Sequence, residues 1–164
     1  MQPTREQAWE WLKEYTKSEA LRRHALTVEG CMRHFAALAG EDAELWGVVG
    51  LLHDLDYEQY PDEHCKKVQE ILREKDVDPA IIRAVASHGF GICSDIEPES
   101  RMEKTLYAID ELTGLITAAA IMRPSKSVMD LELKSVKKKY KTPSFAAGVN
   151  RAVVEPVSYT HLTL

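Results

Sequence analysis

A histidine–aspartate doublet, His53-Asp54, stands at the end of a long apolar stretch of the sequence. The stretch 45–52 (LWGVVGLL) runs into it without interruption, and Asp56 follows two residues later. Burying a charged group is costly unless the charge is paired or bound to a metal ion. Ionisable residues at the end of an apolar helix therefore need partners, and we expect those partners on the apolar faces of other helices.

Helical periodicity of about 100° per residue identifies the partners. Three further histidines and one aspartate fall on the apolar faces of four predicted helices, namely His24, His64, His88 and Asp110. His34 falls about 120° from the centre of the apolar stripe on its helix, so we expect it to face solvent. A single histidine on an apolar face is more often a core residue with a satisfied hydrogen bond than a metal ligand. For Asp110, it is equally possible that the apolar face of its helix has been assigned wrongly.

The complete set is more informative than any member of it. Four histidines and two aspartates that point inward from five helices bury together readily around a divalent cation, which supplies the compensating charge. Imidazole and carboxylate ligands without a thiolate suit Mn, Fe, Co, Ni or Zn, and Mg is a further candidate. An open coordination position on such an ion would hold water.

The segments that must position these residues are all predicted to be helical. Helix start signals stand at five points, Thr4 with Gln7, Ser18, Asp42, Asp78-Pro79, and Ser100 with Glu103. Together with the helical spacing of Val68, Ile71 and Leu72, they predict helices over about 5–15, 18–40, 42–54, 62–75, 79–88 and 100–122, with two shorter helices starting near Ser127 and Ser144. Because no segment alternates like a strand, we predict an all-α, single-domain bundle of six to eight helices.

We divide the chain into an N-terminal helix (1–17), a core (18–125), C-terminal helices of the same domain (126–155) and a tail (156–164). The segment VSYTHLTL at the end of the chain breaks the helical pattern and resembles translated adapter sequence. We therefore expect the tail to be non-native or disordered, and we exclude His161 from the site.

Composition points to a globular cytoplasmic protein. The 164 residues are 45% apolar and 29% charged, which is ordinary for one domain with a core. The net charge of −5 gives no reason to expect nucleic acid as a partner. Three cysteines without a CxxC pair suggest a reducing compartment. The apolar runs are far shorter than the roughly 20 residues of a membrane span, so we expect no membrane partner, and the oligomeric state stays open.

The order of these residues resembles the HD-domain phosphohydrolase family in its small, HDIG-like form. That family has a histidine, a His-Asp doublet and a distant aspartate, all on helices. The segment GLLHDLD (50–56) is a close match to the doublet motif, and AIDELTGLI (108–116) is similar to the helix of the distant aspartate. The resemblance covers about residues 18–125 and implies an HD-type helical bundle.

The resemblance also implies roles for individual residues. One metal ion would be bound by four of them, His24, His53, Asp54 and Asp110. His64 and His88 match the additional histidines of members with two metal ions, in which Asp54 would bridge the ions. Without a second ion, these two histidines would contact the substrate phosphate or protonate the leaving oxygen.

The sequence departs from the family pattern at two points. Asp56 stands where the family usually has glycine, and Tyr57 follows it in place of a basic residue. Gly89 follows His88 where some two-metal members have a second histidine. Both departures concern the second metal ion and the contacts to phosphate.

The activity that the resemblance implies is hydrolysis of a phosphate mono- or diester, often of a nucleotide, by a metal-activated water that Asp54 helps to orient. Arg123 and Lys126 are candidate phosphate contacts; the alternative is that they are solvated charges near a helix C-terminus. A different class of function is a non-catalytic HD-like module that binds a nucleotide or a partner protein. Within the enzyme interpretation, the alternative substrate is a cyclic dinucleotide or another phosphodiester.

Overall fold

The computed structural model describes residues 1–154, and within that range the secondary structure is helical. Seven α-helices lie within residues 1–140: α1 Arg5–Tyr15, α2 Glu19–Ala39, α3 Ala43–Leu52, α4 Lys67–Glu74, α5 Pro79–Ser87, α6 Arg101–Ile121 and α7 Leu133–Tyr140. Residues 151–154, at the end of the described range, are also helical. A short 3-10 helix, Pro61–Glu63, precedes α4, and one isolated bridge joins Phe90 and Ser94. The all-α prediction is confirmed.

The start signals read from the sequence act as predicted at the well-formed helices. Thr4 and Gln7 make both hydrogen bonds of a capping box at α1. The side chain of Asp42 accepts hydrogen bonds from two backbone N–H groups of α3, and that of Asp78 accepts one from α5. Gly40 ends α2 with a φ of 70°, a conformation that glycine adopts at little cost.

Three predicted helix starts are wrong. The fourth helix begins at Lys67 rather than near residue 62, because a 3-10 helix and a turn occupy the segment before it. The seventh begins at Leu133, because the Ser127 hydroxyl only accepts a local hydrogen bond from Met129 N–H. The last helical segment begins at Arg151 rather than near Ser144, since residues 143–148 form turns. The predicted tail and His161 lie outside the described residues.

The chain divides into two compact units, Met1–Tyr107 and Ala108–Leu164. The first contains α1 to α5 and the start of α6, and its core includes fully buried side chains such as Leu12, Met32, Leu51 and Leu72. Burying each such side chain stabilises the fold by about 1.5–3 kcal/mol. In the second unit, the Asn150 N–H donates a hydrogen bond to the Glu111 carboxylate on α6. No helix within residues 1–154 has the length and apolarity that crossing a membrane requires.

Two glycines allow α2 and α3 to approach each other closely. A Cβ atom added at Gly50 would lie 2.9 Å from Met32 Cγ and 3.2 Å from the backbone nitrogen of Glu29. One added at Gly47 would lie 2.6 Å from Arg33 Nε. The glycines of the apolar stretch therefore serve helix packing, and this close approach positions the end of α3 beside α2.

Candidate metal centre

Five of the predicted site residues come together in the first unit, each from a defined position in the fold. His24 lies on α2, His53 and His88 directly follow the last residues of α3 and α5, Asp54 follows His53, and His64 follows the 3-10 helix. His53 and His88 are buried, with 0% and 6% of their surface exposed, and the other three are half-buried. Imidazoles at such depth need polar partners.

The carboxylate of Asp54 lies between two pairs of histidines. Its Oδ2 atom is 3.6 Å from His24 Nε2 and 3.3 Å from His53 Nε2. Its Oδ1 atom is 3.5 Å from both His64 Nε2 and His88 Nε2. Each carboxylate oxygen thus faces one pair of imidazole nitrogens, which is how a carboxylate that bridges two ions is arranged.

The spacing within each pair fits a bound divalent ion. The two Nε2 atoms are 3.1 Å apart in the pair His24–His53 and 3.3 Å apart in the pair His64–His88. Adjacent ligands on a tetrahedral ion with bonds of about 2.0–2.1 Å lie about 3.3 Å from each other. The donor atoms are therefore spaced as such an ion requires.

Asp54 is ionised at neutral pH. Burial opposes its ionisation, but the charge and hydrogen bonding of His53, together with those of His88, outweigh burial and hold the pKa of Asp54 well below its usual range. The site therefore presents an anionic oxygen to each pair of histidines, as a ligand set for divalent cations should.

Backbone carbonyls fix the orientation of the two buried imidazoles. His53 Nδ1 lies 2.7 Å from the Gly50 carbonyl oxygen, and His88 Nδ1 lies 2.6 Å from that of Val85. Because a carbonyl oxygen only accepts, each Nδ1 carries the proton and donates it. Each Nε2 atom then faces Asp54, the orientation in which a histidine can bind a metal ion together with that carboxylate.

Asp56, a departure from the family pattern, orients His64. It is fully buried; its Oδ1 lies 2.7 Å from His64 Nδ1, and its Oδ2 accepts a hydrogen bond of 2.8 Å from the Val68 N–H. Burial lowers the pKa of His64, but the hydrogen bonds to Asp56 and Cys93 outweigh it and raise this pKa to about 10. Sequence reasoning missed this role, because the partner lies eight residues away across an irregular segment.

A cysteine also belongs to this cluster, although the sequence predicted a site without thiolate. Cys65 is fully buried, and its Sγ lies 3.9 Å from His88 Nε2. Donor atoms of His64, Cys65 and His88 all lie within 4.8 Å of one another. A hydrogen bond from Cys65 lowers the pKa of Cys93, and His64 lowers it further, to about 5, although burial opposes this. The hydrogen bond between the two cysteines raises the pKa of Cys65. No CxxC spacing signalled these cysteines.

The remaining predicted site residues lie in the second unit. Asp110 is half-buried on α6, and its role as a metal ligand stays a prediction. Arg123 Nη2 lies 2.8 Å from Asp130 Oδ2 in the loop after α6, and Lys126 is exposed in the same loop. Their contact with phosphate likewise stays a prediction. In the first unit, His34 is exposed, as expected from its position on α2.

Comparison with known protein families adds one finding. The family model described as "HD domain" matches residues 21–115, which is more than half of the chain. Neither the curated proteins nor the solved structures to which the chain was compared gave a match. The matched range contains the His-Asp doublet and both histidine pairs around Asp54. The chain therefore belongs to the HD domain family, whose members are generally metal-dependent phosphohydrolases.

Proposed function

We propose that this protein is a metal-dependent phosphohydrolase that hydrolyses a phosphate mono- or diester of a small molecule, with nucleotides as the substrate class. The observation that carries the proposal is the position of Asp54. Each of its carboxylate oxygens lies 3.3–3.6 Å from two imidazole nitrogens, in a chain of the HD domain family. This donor set suits two divalent transition-metal ions.

The proposed division of the ligands follows the two carboxylate oxygens. His24, His53 and Asp54 Oδ2 would hold one ion, and His64, His88 and Asp54 Oδ1 would hold the other. When bound, divalent ions in such a site lower the pKa of a coordinated water to about 7 and stabilise charge on a phosphoryl oxygen.

The protein's own part in the reaction is to hold these groups in place before substrate arrives. The carbonyl oxygens of Gly50 and Val85 keep the protons of His53 and His88 on Nδ1. Asp54 remains a carboxylate and, in the proposal, orients the attacking water. Positioned groups of this kind reduce the reorganisation that the transition state requires.

The choice of substrate rests on charge and on the family. A net charge of −5 disfavours a nucleic-acid surface, so we propose a small phosphorylated molecule. Arg123 and Lys126 are the proposed phosphate contacts. Because Arg123 pairs with Asp130, a phosphate would have to compete with that carboxylate. A cyclic dinucleotide or another phosphodiester is the alternative to a nucleotide monoester.

The test is a hydrolysis screen with phosphomonoesters, deoxynucleotides and cyclic nucleotides, each with Mn²⁺, Co²⁺, Ni²⁺ and Mg²⁺ in turn. The best pair of substrate and ion is then compared between the wild type, Asp54→Ala and Asp62→Ala. Asp62 is an exposed aspartate of the neighbouring 3-10 helix and serves as the matched control. We expect Asp54→Ala to lose at least about 10²-fold in turnover, as loss of one electrostatic group does, and Asp62→Ala to remain active.

Two results would contradict the proposal. Turnover in Asp54→Ala equal to that of the wild type would remove Asp54 from the reaction. Tight nucleotide binding by the wild type, without turnover by any ion of the screen, would instead identify a non-catalytic binding module.

A further inference from the structure

We propose that Cys65 binds the ion between His64 and His88 as a thiolate, so that this position selects a thiophilic divalent transition ion such as Zn²⁺, Co²⁺ or Fe²⁺ over Mg²⁺. The inference rests on the metal-binding part of the proposed function. It adds a ligand that neither the sequence pattern nor the family resemblance supplies.

The first support is the position of the sulfur. Cys65 is fully buried, and its Sγ lies 3.9 Å from His88 Nε2. The histidine nitrogens of the pair are 3.3 Å apart, and each lies 3.5 Å from Asp54 Oδ1. The donor atoms of His64, Cys65 and His88 lie within 4.8 Å of one another, and the Asp54 oxygen lies beside both nitrogens, so imidazole, thiol and carboxylate donors are grouped at this position. Four-coordinate N, O and S shells of this kind are typical of Zn²⁺.

The second support is the backbone of Cys65. Its φ is 65°, in the left-handed region, which costs a residue with a Cβ atom about 1–2 kcal/mol. This conformation lies between the 3-10 helix and α4, where it turns the chain and leaves the side chain in the cluster. Strained residues of this kind persist where the surrounding structure holds them, and they concentrate at functional sites.

The third support is the glycine that follows His88. A Cβ atom added at Gly89 would lie 2.4 Å from Cys65 Sγ and 2.2 Å from Cys93 Sγ. The two sulfur atoms therefore occupy the space that any side chain at position 89 would need. Some two-metal members of the family have a second histidine where this chain has Gly89. In this chain the sulfur atom of Cys65 lies close to that position.

Cys93 has a different place in the cluster. Its side chain is half-buried, and its sulfur accepts hydrogen bonds from Cys65 and His64. We therefore assign metal binding to Cys65 and hydrogen bonding to Cys93.

The chemistry of the two positions then differs. Thiolate is a soft ligand that favours Zn²⁺, Co²⁺ and Fe²⁺, whereas Mg²⁺ prefers six oxygen ligands in octahedral geometry. The position between His24 and His53 is built from imidazole and carboxylate donors. Occupation of the sulfur-containing position releases the thiol proton of Cys65 to solvent, and the sulfur lone pair forms the bond to the ion.

The test is the absorption spectrum of the protein loaded with Co²⁺, together with the number of cobalt ions bound per chain. A thiolate bound to Co²⁺ gives a ligand-to-metal charge-transfer band in the near ultraviolet, and ligands without sulfur do not. We compare the wild type with Cys65→Ser, Cys93→Ser and Cys31→Ser. Cys31 lies on α2 outside the cluster and controls for loss of a cysteine as such.

We expect two cobalt ions and the band in the wild type, in Cys93→Ser and in Cys31→Ser. We expect loss of the band in Cys65→Ser, with the visible bands of the remaining cobalt retained. Two bound cobalt ions without the band in the wild type would overturn the inference and leave the proposed function standing. Retention of the band in Cys65→Ser would also overturn it. Failure of the wild type to bind cobalt would overturn the proposed function as well.

A measurement on the wild type alone covers the case in which Cys65→Ser does not fold. X-ray absorption fine structure of the zinc-loaded protein should show sulfur at about 2.3 Å from zinc, besides nitrogen and oxygen at about 2.0–2.2 Å. A shell of nitrogen and oxygen alone would overturn the inference. So would a zinc shell with two sulfur atoms per ion, because Cys93 would then also be a ligand.

Discussion

Replacing Asp56 with asparagine should weaken one of the two metal positions and leave the other unchanged. The buried carboxylate of Asp56 holds His64 Nδ1 at 2.7 Å and accepts the Val68 N–H at 2.8 Å. An asparagine can keep the second hydrogen bond through its carbonyl oxygen, but its amide group then faces His64. With Asp56, the imidazole can give up the proton on Nε2 to a metal ion and keep the one on Nδ1. With asparagine, it must accept from the amide at Nδ1, so its remaining proton stays on Nε2, the atom that faces Asp54.

The size of the effect follows from these two hydrogen bonds. Loss of an outer partner of a metal-binding histidine typically lowers metal affinity 10–100-fold, or about 1.4–2.7 kcal/mol. The free energy of unfolding should also fall by about 1.5–3 kcal/mol, because hydrogen bonds to a charged group contribute that much. The position between His24 and His53 should keep its affinity, since the two hydrogen bonds of Asp56 join His64 and the Val68 N–H.

The assay is a titration of Zn²⁺ against a competing chromophoric chelator, with the wild type, Asp56→Asn and Asp62→Asn. Asp62 is exposed in the 3-10 helix, so its substitution controls for the loss of one negative charge nearby. We expect one of two binding steps to weaken in Asp56→Asn and neither to change in Asp62→Asn. Equal affinities for both ions in Asp56→Asn and the wild type would refute the orienting role of Asp56.

Three further predictions concern stability. Burial raises the pKa of Glu103, but hydrogen bonds from backbone N–H groups and Arg83 outweigh it and lower this pKa, so Glu103 stabilises the fold above its unfolded pKa of about 4.3. In a denaturant titration at pH 7, Glu103→Gln should lower the free energy of unfolding by about 2 kcal/mol, and this loss should become smaller as the pH falls through the folded pKa. Glu99→Gln removes an exposed ion pair with Arg83 and should change the free energy of unfolding little. Gly50→Ala should lower the free energy of unfolding by about 1–3 kcal/mol through overpacking between α2 and α3, whereas Gly30→Ala, with open space around it, should leave it unchanged. The packing argument would be contradicted by a stable Gly50→Ala protein or by a destabilised Gly30→Ala protein. Removal of the metal with a chelator should lower the melting temperature, since an ion at 100 times its Kd stabilises the folded state by about 2.7 kcal/mol. The same melting temperature with added metal and with chelator would contradict metal binding.

The helix starts were predictable where the signal is local. Thr4, Asp42 and Asp78 each cap a helix through a hydrogen bond to a residue two or three positions away, so the sequence contains the whole interaction. Ser127 shows the limit of such signals, because its hydroxyl caps a turn while Asp130 pairs with Arg123 and Ser125.

The candidate site was predictable in part for a related reason. His24, His53 and His88 lie on or directly after regular helices, so helical periodicity indicates the direction of their side chains. His64 Nε2 lies 3.3 Å from His88 Nε2, although His64 precedes α4 rather than lying within it. Cys65 was missed because its position depends on a left-handed backbone conformation that no periodicity encodes.

The contribution of Asp56 could not be predicted from the residues alone. Its partners, His64 and the Val68 N–H, lie eight and twelve residues away, across a loop and a 3-10 helix. The family pattern indicates glycine at this position and gave no reason to expect a hydrogen-bonding role. Only the three-dimensional arrangement shows that the substitution supplies the group that orients His64.

In the proposed site, Asp54 is shared by two metal ions, each held by one pair of histidines. An anomalous-difference map from crystals of the zinc-loaded protein, recorded at the zinc absorption edge, would locate these ions. We expect two peaks, one between Asp54 Oδ2 and the pair His24–His53, and one between Asp54 Oδ1 and the pair His64–His88. A map with no peak beside Asp54, or with a single peak contacted by only one of its oxygens, would contradict this arrangement.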